Sequence, residues 1–302
     1  MLSVIIGAAV NIALDPVFIF VFDMGVAGAA LATVIGQAAT FITTVSYFFK
    51  SKTFSLKLHS FIPRPAAVGT VLRLGISTFI TQVAIVVVTI VCNVQFAKYG
   101  AMSEYGADIP IAVIGIQNKV FTIVINLVVG VVLGCQPIIS YNMGAGKYDR
   151  IRELYKKIMI ITVTIGLFFT VIFELFPDVV IRLFGVPSNI PNPESYWKFG
   201  ELTLRIFLSF ICMTCVIKMN SIFFQAVGKP VYALISSIVQ DIVCFTPLMF
   251  ILPSISPSVE LLLWSAPISD IIAIVVTTIL SVLFLRSLKR RDKQTDITEQ
   301  IF

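Results

Sequence analysis

The chain breaks into about eight long apolar runs, near residues 1–22, 26–49, 68–98, 110–138, 157–177, 202–227, 231–252 and 260–286, and runs of this length admit few folds. A helix needs about 20 mainly apolar residues to cross a bilayer. In hydrocarbon every peptide group must find its partner within the protein, so only helices or closed barrels can span it. The runs are rich in Leu, Ile, Val and Phe, are separated by Gly, Pro or charge clusters, and lack the period-two alternation of barrel strands. The expected fold is therefore all-α, a polytopic transmembrane helical bundle of about eight helices. With 58% hydrophobic residues, 13% charged residues and a mean hydropathy of +0.98, the composition excludes an ordinary water-soluble domain.

Basic residues fall in alternate connections. Lys50, Lys52, Lys57, Arg64 and Arg73 follow the second run, Lys147, Arg150, Arg152, Lys156 and Lys157 the fourth, Lys229 the sixth, and Arg286, Lys289, Arg290, Arg291 and Lys293 form the tail. The remaining connections carry Asp23, Glu104, Asp108, Asp178, Glu194 and Glu201, with few basic residues beside them. Positive loops stay inside, so the chain reads as a multi-pass plasma-membrane protein, of a bacterial inner membrane, with both of its termini cytoplasmic. The net charge of +6 then reflects topology and contact with anionic lipid, and no nucleic-acid partner is expected. No basic segment or small-residue cleavage site precedes the first run, which reads as a retained helix.

Enzyme chemistry finds little in the sequence. The one histidine, His59, lies in a basic loop, and no GxSxG, HExxH, Walker or dinucleotide motif occurs. No enzyme activity and no cofactor are expected. The five cysteines, without a His cluster beside them, read as packing thiols.

The polar residues inside the runs remain. Asn11 and Asp15 are four apart and share a helix face, and Pro16 removes the backbone donor that would have bonded the Ile12 carbonyl. A mid-membrane aspartate costs about 2.5–3.5 kcal/mol even on insertion scales, which marks Asp15 with Asn11 as the candidate site for a coupling ion, H⁺ or Na⁺. The bland alternative is that Asn11 and neighbouring helices merely satisfy Asp15. Gln82, Asn118, Lys119, Asp241 and Asp270 are candidate polar residues of a hydrated cleft. Interhelical amide bonds are common glue, and Lys218 is expected to snorkel to the cytoplasmic side. Gly130 and Gly134 give a GxxxG spacing expected to let helices approach closely. No metal site is expected beyond Na⁺ at Asp15.

A weak internal echo links the first two runs, NIALDPVFIF and GVAGAALATVIG, to the last two, DIVCFTPLMFI and LLLWSAPISDII. Transporters are often built from such repeats. On a repeat of six helices, residues 1–66 are the last two helices of an N-terminal bundle with a cytoplasmic linker. Residues 67–287 are a complete six-helix bundle and 288–302 a basic, polar tail. About four helices are then expected to precede Met1.

NIALDP, GVAGAALATVIGQ, the stretch from Val113 to Ala145 with GIQNKVF and GCQPIISYNMGAG, then FFQAVGKP and SAPISD, follow one another in an order that resembles the multidrug and toxic compound extrusion (MATE) family. The resemblance implies twelve helices in two six-helix bundles that export organic cations and other amphipathic drugs in exchange for Na⁺ or H⁺. The eight runs here would be helices five to twelve, in a monomeric protein whose partners are the bilayer and small-molecule substrates. It also implies a cation site in the N-terminal bundle that matches Asp15 and Asn11, while the family's partner ligands on helices one and four have no counterpart. Run seven departs from the family, reading Val239, Gln240, Asp241 where relatives often carry an arginine. The expected function is secondary active efflux by alternating access. The alternatives are a lipid-linked sugar flippase of the same broad fold, which would want several cations in its cavity, or a truncated fragment that transports nothing alone.

Overall fold

The computed structural model describes residues 2–50, 65–187, 190 and 192–301. His59 and the linker lysines Lys52 and Lys57 lie outside the described residues. The chain forms two compact units, Met1–Gly69 and Thr70–Phe302. Among the described residues all regular structure is helical. Seven helices are long and apolar enough to cross a membrane, or eight if one bent pair is a single span.

The first unit is a helical hairpin. Helix α1, Leu2–Pro16, passes into a π-helical turn at Val17–Val21, and α2, Gly25–Lys50, returns against it. Pro16 cannot donate to the helix ladder, and the wider turn that follows accommodates the disturbance. The two helices meet through small residues. A Cβ on Gly36 would lie 2.8 Å from the Gly7 carbonyl oxygen and 2.9 Å from the Asn11 Cβ, so only glycine lets the backbones come this close.

The second unit carries α3, Pro65–Ala101, from its residue 70 onward. It continues through α4 (Asp108–Gly144), α5 (Tyr148–Leu175), α6 (Pro177–Arg182), α7 (Pro193–Phe207), α8 (Ile211–Ala226) and α9 (Pro230–Ile238). A π-helical segment at Val239–Phe245, α10 (Thr246–Ile255), α11 (Val259–Leu263) and α12 (Ser265–Ile301) complete it. Helix α7 starts where Asn192 accepts hydrogen bonds from the Glu194 and Ser195 amides, with Pro193 at the first helical position. It starts well before the apolar run that marks it in the sequence, because its first two turns, residues 193–199, are polar on one side and bury Tyr196 and Phe199 on the other. The run expected as one helix over 202–227 is in fact two, α7 and α8, bent by 50° at the break between Phe207 and Ile211. At the other end, the backbone of α12 stays helical through Ile301, beyond the apolar stretch that ends near residue 286.

Helix α8 is the centre of this unit and packs against α4, α5, α9 and α12. Its inward residues Ile211, Cys215, Met219, Phe223 and Phe224 are fully buried. Asn220 ties three helices: Tyr155 of α5 and Ser281 of α12 each donate a hydroxyl to its Oδ1 at 2.8 Å, and its Nδ2 donates to the Val216 carbonyl. The α8 to α9 turn is set by Gly228 at φ +73°, with Lys229 N–H bonded to the Phe224 carbonyl at 2.8 Å, a left-handed helix end that glycine adopts without strain. Ser140 of α4 donates to the Ala226 carbonyl, fixing that end of α4 to the same turn.

Gly130 and Gly134 do not mediate a close helix approach. Among the described residues nothing lies within 4 Å of a Cβ at either position, because α4 buries the face of Val124, Val128 and Val132 and leaves both glycines on the exposed side. Spacing alone does not say which face a pair of glycines occupies.

Asn220→Leu is expected to destabilise the second unit by about 1–3 kcal/mol, because the buried Tyr155 hydroxyl loses its acceptor while Ser281 keeps the Thr277 carbonyl. Thermal or denaturant unfolding in detergent measures this, with Tyr155→Phe expected to give a smaller loss.

Candidate functional site

Four residues apart on α1, Asn11 and Asp15 do face the same way. Asn11 Nδ2 donates to Asp15 Oδ1 and to Thr33 Oγ1 of α2, each at 3.5 Å, and the Thr33 hydroxyl donates to the Ala29 carbonyl at 2.9 Å. Asn11 and Asp15 are half-buried. Contacts this long are weak, and among the described residues no cation pairs with Asp15. The carboxylate is thus held beside two oxygen-bearing side chains, the Asn11 amide and the Thr33 hydroxyl, without a permanent counter-charge. That arrangement suits a proton or a small cation that comes and goes. Thr33 is absent from the residues the sequence singles out. The available signal is that it is the only hydroxyl in the small-residue stretch GVAGAALATVIG.

The other sequence candidates lie in the second unit and do not form one site. Gln82 is exposed on α3, and Asn118 and Lys119 are exposed on α4. Asp270, 5% exposed, is interior to the bundle, where it accepts from Thr214 Oγ1 at 2.8 Å and from Gln240 Nε2 at 2.7 Å. Asp241, on the π-helical segment, accepts from Lys218 Nζ at 3.1 and 3.4 Å. Lys218 therefore does not snorkel to the water as its sequence position suggests. Its ammonium is instead bonded to Asp241, 23 residues away in the sequence, and both side chains are mostly buried, 18% and 17% exposed. Thr214 and Gln240 join the site only through their tertiary contacts with Asp270. All five cysteines are free; Cys92, Cys215 and Cys244 are buried and Cys135 and Cys212 half-buried.

A family model described as MatE matches residues 78–251, more than half of the chain. The chain belongs to the MatE family. The multidrug export protein MepA of Staphylococcus aureus (strain NCTC 8325 / PS 47) is 24% identical over 253 residues, covering 83% of this chain and 53% of that protein. MepA of Staphylococcus haemolyticus (strain JCSC1435) is 27% identical over 299 residues, covering 96% of this chain and 60% of that protein. This MatE chain thus spans little more than half the length of the curated relatives it matches. The fold is shared with a solved structure of MATE in complex with MaL6, at a TM-score of 0.84 and 21% identity over 96% of this chain and 63% of that one. An outward-facing multidrug resistance MATE family transporter of the MOP superfamily gives a TM-score of 0.83 at 21% identity, over 96% and 62%. The relatives are transporters, and this MatE chain is a multi-pass membrane protein of that family.

Gly36→Leu is expected to force α2 away from α1 and carry Thr33 out of reach of Asn11. A loss of about 1–3 kcal/mol is expected from overpacking at this crossing, read as a lower unfolding temperature in detergent, whereas Gly130→Leu should change it little.

Proposed function

We propose that this MatE protein is a secondary active exporter of amphipathic or cationic drugs, working by alternating access and driven by H⁺ or Na⁺ exchanged at Asp15 with Asn11. The observation that carries the reading is the Asp15, Asn11 and Thr33 cluster: a carboxylate within a membrane-spanning hairpin, loosely bonded and without a counter-ion. Family membership and the printed function of the MepA relatives support the substrate class. In the loaded state the ion neutralises Asp15, and in the empty state the charge must be solvated. The two states therefore favour different surroundings for α1, which is the differential interaction that any ion-driven switch requires. The π-helical turn directly after Pro16 is the flexible point at which α1 can respond.

On this reading the protein works as a monomer in the plasma membrane with the basic connections cytoplasmic, and no cofactor beyond the coupling ion takes part. Gln82, Asn118 and Lys119 are exposed polar side chains available to substrate. A lipid-linked sugar flippase is the weaker reading, because, of Lys119 and Lys218, the two cations far from the ends of their runs, Lys218 is already bound to Asp241 and is not free to meet a pyrophosphate.

The test is drug efflux by the protein as expressed from its own gene, in vesicles with an imposed pH or Na⁺ gradient. Asp15→Asn is expected to reduce gradient-driven efflux to background. Thr33→Val should slow it about 2–10-fold, the worth of one hydrogen bond. Wild-type efflux by Asp15→Asn would overturn the site assignment, and the gradient that drives the wild type names the ion.

A further inference from the structure

In the second unit the buried Asp270 lies near the half-buried pair of Lys218 and Asp241. Lys218 is paired with Asp241 at 3.1 Å, and among the described residues no cation bonds Asp270. Asp270 has only neutral donors, the Thr214 hydroxyl on Oδ2 and the Gln240 amide on Oδ1. As an anion it would leave the trio with one uncompensated negative charge in a bundle surrounded by hydrocarbon, which is among the most expensive arrangements a membrane protein can hold. A second observation points the same way. Gln240 is 5% exposed, and its Oε1 has no donor among the described residues although its Nε2 is engaged with Asp270 at 2.7 Å and lies 3.4 Å from Thr214 Oγ1. The buried cluster thus contains an amide oxygen without a donor next to a carboxylate bonded only by neutral groups.

We infer that Asp270, Thr214 and Gln240 form a proton-binding site inside the second unit, separate from Asp15. A proton on Oδ2 can be donated to the Thr214 oxygen across the same 2.8 Å contact once the Thr214 hydroxyl hydrogen rotates away from Asp270, so the bond survives with its sense reversed. Sodium fits poorly, because the Gln240 amide hydrogen already points at Oδ1 and would have to be displaced before a metal ion could be coordinated there. The Gln240 and Asp241 backbone lies on the π-helical segment Val239–Phe245, with Thr246 Oγ1 donating to the Asp241 carbonyl at 2.9 Å, so the proton sits against an irregular stretch of helix.

The titratable and charged groups around Asp270 come from several elements. Helix α8 presents Lys218 and Cys215, and the π-helical segment presents Asp241. Helix α10 carries no titratable residue. Tyr155 of α5 is engaged with Asn220, Tyr232 of α9 stacks on Phe224, Glu260 of α11 starts that helix beside Ser258, and Arg205 of α7 is exposed. Among the described residues, Lys218 is the cation whose charge acts on Asp270.

The inference rests on the exporter reading for its consequence but not for its detection. Infrared difference spectra of the purified protein in lipid, taken between acidic and alkaline pH in the Asp15→Asn background, are expected to show the C=O stretch of one protonated carboxyl. That band should vanish in Asp15→Asn with Asp270→Asn. It should persist in Asp15→Asn with Thr214→Val, displaced to higher frequency by loss of a hydrogen-bond partner. An unchanged spectrum in the folded Asp270→Asn protein, judged by circular dichroism, would overturn the site, as would a band that Na⁺ removes at constant pH. If Asp270→Asn fails to fold, the Thr214→Val spectrum decides: no frequency displacement would also overturn it. Asp15 can fail as the coupling site in the efflux assay while this band remains, so the two readings fail separately.

Discussion

Inside hydrocarbon a polar side chain has nowhere to turn but to another part of the protein, and in the second unit that constraint converges on α8. Asn220 holds the hydroxyls of Tyr155 and Ser281 on one oxygen, Ser221 bonds Ser237 and the Ala233 carbonyl, Thr214 bonds Asp270, and Lys218 bonds Asp241. These contacts reach α5, α9, the π-helical segment and α12 from one helix of 16 residues. Apolar packing cannot specify such an arrangement alone, because lipid tails are as apolar as the helix surfaces and give no preference for one neighbour over another. Directional bonds supply the register. Phe223, packed edge-on to both Tyr155 and Phe284, then fills the space the bonds have defined.

The two carboxylate sites differ in how tightly they are held. Asp15 has one 3.5 Å contact, is half-buried and keeps open valences. Asp270 has contacts of 2.7 and 2.8 Å and is almost fully enclosed. A loosely bonded carboxylate can rearrange around an arriving ion and release it again, whereas an enclosed one admits only what passes along hydrogen bonds. The first geometry is compatible with either Na⁺ or H⁺; the second favours the proton.

Much of the fold could be read from the sequence because a bilayer imposes length and apolarity on every span, and Asn11 and Asp15 were legible because four residues is one helical turn. What escaped depended on faces and on distant partners. The break between α7 and α8 falls at Leu208, Ser209 and Phe210, residues as apolar on average as their neighbours, so no composition change announces it. Gly130 and Gly134 have the right spacing on the wrong face. Lys218 reads as a snorkelling cation until Asp241 is brought beside it, and Thr33 reads as one more small residue until α2 folds back on Asn11.

Both carboxylate clusters adjoin a π-helical turn and a proline, and the coincidence has a physical cause. Pro16 precedes the turn at Val17–Val21, and Pro247 follows the turn at Val239–Phe245. A proline within a spanning helix deprives one carbonyl of its donor and crowds the preceding turn. At Pro247 the π-helical segment is that preceding turn, and widening it relieves the crowding without exposing the whole backbone to lipid; at Pro16 the wide turn follows the proline instead. The wider turn is also the stretch of helix with the poorest ladder geometry, and therefore the least costly place for the rod to bend. A charge placed next to it, Asp15 before the first and Asp241 within the second, acts where the helix resists least. On the proposed reading, a proton or ion arriving at Asp15, or at Asp270 whose partner Gln240 lies on the second wide turn, acts beside a stretch of helix that bends more readily than a regular one.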